Sequence, residues 1–431
     1  MQRVVKFITL GCKVNQYETN AMAQKFLEKG YKVIEEYEQN GEKPDICIIN
    51  TCTVTNMSDR KSRQMLRREK ENNKNVIVVA VGCYAQVAKN ELNKIPEIDL
   101  VLGNNEKVDI VKYVEDYINE NENNIEIEDV MQSRLFSDFG DITFTEKTRA
   151  VVKIQDGCDR FCSYCIIPYA RGRVRSRKPE SIISEITKIA EKDIKEVVIT
   201  GIHIASYGKD FKEEYKLIDL LEEINKIDGI ERIRLGSIEP LLITDEFVER
   251  LKKLDKICHH FHLSLQSGCD ETLKRMNRRY TTEQFREIVK RLRNAYNDVN
   301  LTTDIIVGFP GETEEEFEKT YNFLKDIELS QMHIFKYSPR KGTKAADMEN
   351  QVSPQIKHER SEKLLQLNKE NFMKFASKSV GKEFEVLFEQ EVGLTPNYLK
   401  TFVTCDEDIC GKIMKVKITE VKDEYVEGIL V

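Results

Sequence analysis

Short apolar runs recur along the chain, each followed by a longer segment whose apolar positions fall three or four apart. In the first quarter the runs are VVKFITL (4–10), DICIINT (45–51) and VIVVAVG (76–82). Continuous, β-branched hydrophobicity of this length suits strands buried on both faces of a parallel sheet. Between the first two runs, Ala21, Met22, Phe26 and Leu27 mark one side of an amphipathic helix, which Gly30 ends as glycine does at a helix C′ position. Residues 1–115 are therefore read as an α/β domain of βαβ layout. Residues 116–148, which include NENNIEIED, have no strong periodicity and read as a linker or excursion.

From residue 149 the alternation resumes. Candidate strands are AVVKIQ (150–155), EVVITGIH (196–203), RIRLGSI (232–238), HFHLSLQ (260–266), TTDIIVGF (302–309) and MHIFKYS (332–338), with charged helical segments between them. Six βα units with right-handed crossovers curl into a partial (β/α)6 barrel, whose post-strand loops open on one face. A helix near 356–376 closes this unit, read as 149–371. Residues 372–431 then change rhythm: VGKEFEVLFEQ, TFVTC, GKIMKVKITEV and EYVEGILV are short alternating strands, the pattern of a small antiparallel β-barrel. The expected architecture is α/β with three structured parts.

Composition narrows the class. With 40% hydrophobic and 33% charged residues the chain is too apolar for general disorder. No run approaches the roughly 20 apolar residues of a membrane span, so no membrane association is expected. The start MQRVVKFITLGC shows no secretory signal, which predicts a cytoplasmic protein. In that compartment eleven cysteines, an odd number, point to metal ligation before disulfides. A formal charge of −7 argues against a surface coated with nucleic acid, though it leaves local patches open.

The cysteines fall into three kinds. Cys158, Cys162 and Cys165 form C-x-x-x-C-x-x-C in DGCDRFCSYCIIPYARG, directly after the first barrel strand. A [4Fe–4S] cluster takes four cysteines, so three on one loop would leave one iron open. A structural zinc site wants four closed ligands, and no fourth Cys or His lies nearby in sequence. Cys12, Cys52 and Cys83 are far apart, but each directly follows a predicted strand, and the C-terminal ends of parallel strands share one edge of the sheet. Position alone leaves two readings even: a second open iron centre, or three inert, partly buried thiols. Cys47 lies inside a strand and reads as core. Cys258, Cys269, Cys405 and Cys410 match no ligand pattern.

C-x-x-x-C-x-aromatic-C at the start of a βα barrel resembles the radical S-adenosylmethionine (SAM) superfamily. The resemblance implies that the open iron chelates SAM, which one electron cleaves to methionine and a 5′-deoxyadenosyl radical, with Tyr164 near the adenine. TLGCKVNQYET, INTCTVTNMSDRKSRQ and VVAVGCYAQ resemble the N-terminal domain of the methylthiotransferases, which implies a second [4Fe–4S] cluster on Cys12, Cys52 and Cys83. On this reading one SAM methylates a sulfur held at the second cluster, and radical chemistry prepares C2 of an adenine for the methylthio group. An electron donor such as flavodoxin or ferredoxin and a sulfur source are implied as partners.

Polar strand ends supply candidate SAM contacts: His203, Ser237, Glu239, Gln266 and Asp304, each equally readable alone as a cap, turn or satisfied core group. The resemblance favours Ser237 and Glu239 for the ribose and amino acid parts, with Gln266 and Asp304 nearby. Leu263-Ser264-Leu265-Gln266 departs from the family's apolar-Pro before Gln-Ser-Gly, so strand geometry there is expected to differ.

Two basic stretches stand out: residues 60–70 carry six Lys or Arg, and 171–178 carry five. Such runs are ordinarily solvated faces, yet both sit just after cysteine loops. Arg63, Arg67, Arg171, Arg173 and Arg175 are thus candidate RNA contacts. The C-terminal part resembles a TRAM domain, most clearly at GLTPNYLKTFV, which makes Tyr398 and Phe402 candidate stacking residues and Lys400 a phosphate contact. Eight Lys against eleven Asp or Glu in 372–431 require any basic residues there to cluster. The motif residues resemble most the subgroup acting on threonylcarbamoyladenosine beside the tRNA anticodon. Alternatives are isopentenyladenosine in tRNA, an aspartate of ribosomal protein S12, and a non-enzymatic Fe–S protein that binds RNA or senses redox state.

Overall fold

Five parallel strands at the N-terminus are ordered β2-β1-β3-β4-β5, with β1 Val4–Thr9, β2 Lys32–Ile34, β3 Ile46–Thr51, β4 Ile77–Gly82 and β5 Leu100–Val101. The computed structural model describes residues 2–34, 43–120, 126–144, 148–405 and 407–431. The three apolar runs become β1, β3 and β4. β2 and β5, three and two residues long, are too short to leave a pattern. Helix α1 (Lys13–Glu28) buries Tyr17, Ala21, Met22 and Phe26 against one face, and α2 (Asn56–Asn72) packs Leu66 on the other. The helix Ile110–Glu120 runs past residue 115. The segment read as a linker includes 121–125 and 145–147, which lie outside the described residues. Its described part buries Val130, Phe139 and Ile142.

The central unit has six parallel strands in the order expected: β6 (Arg149–Asp156), β8 (Glu196–Gly201), β9 (Arg232–Leu235), β10 (His260–Gln266), β11 (Asn300–Val307) and β12 (Gln331–Lys336). A two-residue strand, β7 (Arg175–Ser176), pairs antiparallel with β6 at one edge. Isolated bridges Ile233 to Ile257 and Ile238 to Leu263 join the β9 and β10 sides. Val152, Ile154, Val197, Ile199, Ile233, Leu235, Phe261, Leu263, Leu301 and Ile305 form one core with the surrounding helices. Because strand side chains alternate, the residues between them line the lumen: Lys153, Glu196, Arg232, Arg234, His260, His262, Asn300, Thr302 and Asp304. The barrel is apolar outside and polar inside.

The C-terminal strands β13 (Glu383–Glu389), β14 (Val392–Leu394), β15 (Lys400–Phe402), β16 (Ile413–Val421) and β17 (Val426–Leu430) close into a barrel. Its pairs are antiparallel except β15 with β17, which is parallel. The turn between β14 and β15 seals the N-terminal mouth of the large barrel. Arg232 donates to the carbonyls of Leu394 (3.0 Å) and Glu385 (2.9 Å), and Arg234 to those of Pro396 (3.1 Å) and Thr395 (3.2 Å). The Tyr398 ring stacks on His260, centroids 4.5 Å apart, with the Arg234 guanidinium 4.8 Å from the ring centre.

The N-terminal domain docks through α1, across β6 and β8. Glu18 on α1 is buried and takes three cations: Lys107 (2.5 Å), Lys153 (2.7 Å) and Arg171 (2.8 Å). Asp156 binds Lys153 (2.5 Å) and Arg171 (3.1 Å), and Arg175 lies 3.9 Å away. Desolvation pushes the Glu18 carboxyl up, but the three cations outweigh it and hold it well below its ordinary range. Removing one member of such a set strands a buried charge, at a cost of about 3–5 kcal/mol.

Because the folded Glu18 carboxyl is depressed, the unfolded chain binds the extra proton. Its contribution is therefore complete above the unfolded value of about 4.3 and is lost as pH falls further. Urea unfolding at several pH values is expected to show Glu18→Gln less stable by about 3–5 kcal/mol at pH 7. The deficit should narrow below pH 4. An equal deficit at all pH values would mean that the lost contacts are not electrostatic.

Candidate active site

The barrel cysteine loop begins where β6 ends. Gly157 has φ +70°, and a Cβ there would sit 1.8 Å from the Arg173 carbonyl, so the entry to the loop requires glycine. The loop is fixed by its backbone: Cys158 N–H donates to Gly172 O (3.0 Å), Cys165 N–H to Cys162 O (2.9 Å) and Ser163 N–H to Met276 O (3.0 Å). The three thiols lie near enough to act on each other. Burial first, then the neighbouring sulfurs, pushes Cys158 to about 11 and Cys165 to about 12. Thiols so crowded are poor anions alone and give up their protons to a bound cation. Arg278 Nη1 donates to Cys162 Sγ (3.4 Å) and Arg160 N–H to Cys158 Sγ (3.5 Å), the donors that sulfur ligands of a cluster accept.

Cys12, Cys52 and Cys83 also meet. Cys12 caps the start of α1, Cys52 follows β3, and Cys83 opens helix α3 (Cys83–Val87) after β4. Gly11, at φ +104°, makes room: a Cβ there would come 2.9 Å from Cys52 Sγ. Burial, with the charges of Cys83 and Cys12, pushes the Cys52 thiol to about 11. Arg171 Nε donates to Cys83 Sγ at 3.1 Å. Among the described residues, the buried network beside it pairs Lys107, Lys153, Arg171 and Arg175 with Glu18 and Asp156. An anionic centre at Cys83 would offset that surplus. Among the described residues neither cysteine set closes to within 4.8 Å, as one ion would require. Both sets are wider, as the corners of a cluster are.

A cavity of about 200 Å³ joins the two regions. Val54 and Thr55, just after Cys52, form one wall, and Tyr164, Cys165, Ile166 and Ile167 another, while Gln266, Asp304, Ile306, Phe335 and Tyr337 close it from the barrel. Arg340 reaches across from the barrel to Asp59 (2.6 Å) and Thr53 (2.6 Å), pinning the Cys52 loop over this space. A larger cavity, about 620 Å³, lies beside the rim among Arg160, Tyr207, Phe211, Tyr215 and Phe247, and none of the six cysteines lines it.

The expected cofactor contacts divide. Tyr164, Gln266 and Asp304 share the cavity. Gln266 has φ +74°, and the β10–β11 register shifts between Leu263 and Gln266, so the departure at Leu265 coincides with a bulge. His203 and Glu239 form a separate cluster, Nε2 to Oε2 3.3 Å, with Arg160 2.7 Å from Glu239. Burial works against the Glu239 carboxylate, but His203, Arg278 and Arg160 hold it below its ordinary range. Ser237 is exposed at the end of β9.

The RNA expectations need correction. Arg171 and Arg175 are 0% and 1% exposed and belong to the interdomain network, so neither can reach a phosphate. Tyr398 is taken up by His260 and Arg234 at the barrel floor, so its ring is not a free stacking platform. Arg173 is half-exposed beside Asp159 (3.3 Å), Arg63 is held by Tyr84 and Glu91, and Arg67 lies 3.9 Å from Glu97. Phe402 packs on Tyr425. Lys400 is exposed, as are Arg60, Lys61 and Arg68 on α2. Sequence reasoning missed Arg160, Arg278, Lys153 and Glu18. The available signal was charge at alternate positions of apolar strands, as in AVVKIQ and RIRL, which marks a lumen.

Residues 152–324 match the Radical SAM superfamily, 4–103 the Uncharacterized protein family UPF0004, and 377–431 the TRAM domain. The Bacillus subtilis threonylcarbamoyladenosine tRNA methylthiotransferase MtaB is 42% identical, over 98% of this chain and 95% of that protein. The Aquifex aeolicus protein of the same name is 41% identical over 96% and 100%. A Thermoanaerobacter tRNA-2-methylthio-N(6)-dimethylallyladenosine synthase is 37% identical over 98% and 92%. The solved structure of the radical SAM methyltransferase TsrM from Kitasatospora setae shares the fold at TM-score 0.57 and 17% identity, over 79% of this chain and 77% of that one. No helix among the described residues is long and apolar enough to cross a membrane. Paired cysteine sites, a polar-lined βα barrel and a closed C-terminal barrel thus occur in one chain matched nearly end to end, and the chain belongs to the MtaB-type methylthiotransferase family.

Proposed function

We propose that this protein installs a methylthio group at C2 of N6-threonylcarbamoyladenosine-37 in the anticodon loop of tRNA. The observation that carries the reading is the cavity whose walls come from both cysteine regions. Sulfur donor and radical source have to meet one adenine, and a space lined both by Val54 and Thr55 after Cys52 and by Tyr164 to Ile167 around Cys165 supports that reading. Cys158, Cys162 and Cys165 would hold one [4Fe–4S] cluster, with SAM on its open iron. Cys12, Cys52 and Cys83 would hold the second. When bound, these groups supply the one-electron and sulfur-transfer chemistry that an aromatic C–H requires and that acid–base side chains cannot provide.

The chain's own residues position and exclude. The Cys158 loop is pinned by backbone bonds to Gly172 and Met276, and the Cys52 loop by Arg340, so the reacting groups are held at fixed separation. Ile166, Ile167, Ile306 and Phe335 give the space an apolar wall. Tyr164, Gln266 and Asp304 line the side where SAM would lie, and Glu239, fixed by Arg160 and His203, is the carboxylate for a ribose or an ammonium group. The tRNA would approach over α2, where Arg60, Lys61, Arg67 and Arg68 are exposed next to the Cys52 loop. A cytoplasmic location, a flavodoxin- or ferredoxin-type electron donor and a sulfur source complete the reading.

After anaerobic reconstitution, about eight irons per chain are expected, falling to about four in the Cys158/Cys162/Cys165→Ala variant and in the matching Cys12/Cys52/Cys83→Ala variant. About four irons in the wild type would remove the second cluster and with it the methylthio transfer. Nucleoside analysis of tRNA from a strain lacking the activity should show the 2-methylthio product restored by the wild type and by neither variant. Methylthiolation of an isopentenyl acceptor instead would reassign the substrate.

A further inference from the structure

Strand register assembles one cluster on the barrel wall. β10 pairs with β11 so that His262 faces Thr302, and β11 with β12 so that Asp304 faces His333. Thr302 and Asp304 are two residues apart and share one face of β11, so the two imidazoles flank a single carboxylate. His262, Asp304 and His333 are the one set of His, Cys, Asp or Glu among the described residues whose three ligand atoms all lie within 4.8 Å of one another. Asp304 Oδ2 is 3.2 Å from His262 Nε2, and Oδ1 is 3.3 Å from His333 Nδ1. His262 Nδ1 meets Thr302 Oγ1 at 2.9 Å, which fixes the ring with Nε2 toward the carboxylate.

Spacing and charge both separate this trio from an ordinary ion pair. Where an imidazole and a carboxylate simply pair in this chain, at His259 and Asp298, nitrogen and oxygen are 2.7 Å apart. Ligand atoms held at about 2.0–2.1 Å by a tetrahedral ion stand about 3.3–3.4 Å from one another. The contacts of Asp304 match that second spacing. Glu239 also lies 3.3 Å from an imidazole, but there Arg160 supplies a cation at 2.7 Å. Asp304 has no Lys or Arg partner among the described residues, and its two oxygens meet only the two rings. Two imidazoles and one carboxylate are a donor set for zinc and its transition-metal neighbours, whereas calcium and magnesium take oxygen.

We propose that His262, Asp304 and His333 form a mononuclear site for a divalent transition-metal ion, zinc by preference, separate from both cysteine sets. His262 Nε2, His333 Nδ1 and the Asp304 carboxylate are the ligands, and Thr302 orients the His262 ring from behind. No fourth His, Cys, Asp or Glu joins them among the described residues, so one position is left for water or another small ligand. The His333 side chain is 62% exposed, which gives the ion a way in. Asp304 also lines the cavity between the cysteine regions, so an ion held here adds a fixed positive charge at its edge. The site is independent of which acceptor that cavity takes.

The test uses the full chain after anaerobic cluster reconstitution, exposed to zinc and then freed of loosely held ion with a weak chelator. About one zinc per chain is expected beside the iron, and X-ray absorption at the zinc edge should show nitrogen and oxygen ligands at about 2.0–2.1 Å with no sulfur at about 2.3 Å. His333→Ala and Asp304→Asn should each lose the zinc while retaining the wild-type iron content. Thr302→Val should weaken zinc binding by about 10–100-fold. His259→Ala, which breaks the ordinary imidazole–carboxylate pair, should keep it. A wild type that retains no zinc overturns the proposal whether or not the variants fold. Zinc held by sulfur overturns it as well, since the ion would then sit among the cysteines, and so does zinc undiminished in His333→Ala. Iron content and the tRNA product are read separately, so failure here leaves the assigned reaction standing.

Discussion

Two domains meet here over buried charge. Glu18 on the first helix accepts from Lys107, Lys153 and Arg171, and Asp156 on the first barrel strand shares two of these cations. Four cations against two carboxylates is an arrangement that hydrophobic packing would not require and that burial penalises. It becomes reasonable beside Cys83, where Arg171 already donates to the sulfur. The same guanidinium therefore fixes the docking of the domains and faces one cysteine site. Placement of the two cysteine regions about a single cavity follows from that contact.

Much of this was legible in the chain. The long apolar runs became the strands expected of them, because they are short, rich in β-branched residues and bounded by turn residues, which favours a doubly buried strand over a buried helix. The loop after β6 was legible because its three cysteines lie within eight residues. Cys12, Cys52 and Cys83 were ambiguous for a physical reason: only the pairing of β1, β3 and β4 brings the residues that follow them together. The basic run at 171–178 misled, since Lys and Arg on a sequence look alike whether they face phosphate or a buried carboxylate. Arg171 and Arg175 found partners on α1 and β6, and no local pattern announces a partner more than a hundred residues away.

The barrel strands carry a second lesson. RIRL and HFHLSL look like hydrophobic strands interrupted by polar residues, and each interruption lies on the lumen side. The helices outside take most of the apolar positions, which leaves much of the interior free to be a polar chamber. That chamber holds His262, Asp304 and His333 near its middle, the cysteine loop at its top and Arg234 with His260 at its floor. A polar chamber is thus compatible with a stable core, because the two faces of each strand answer to different demands.

The floor has a consequence for how the C-terminal barrel can be handled by evolution or by protein engineering. Tyr398 rests on His260 and Arg234, and the carbonyls around it are taken by Arg232 and Arg234. A domain attached in this way is not an interchangeable cassette. Removing it would take four carbonyl acceptors from Arg232 and Arg234 and leave Glu196 as their carboxylate partner, and a foreign domain placed here would have to supply those carbonyls anew. Lineages that exchange this module must therefore exchange the lower ends of β9 and β10 with it, so the natural unit of inheritance is the plug together with its socket.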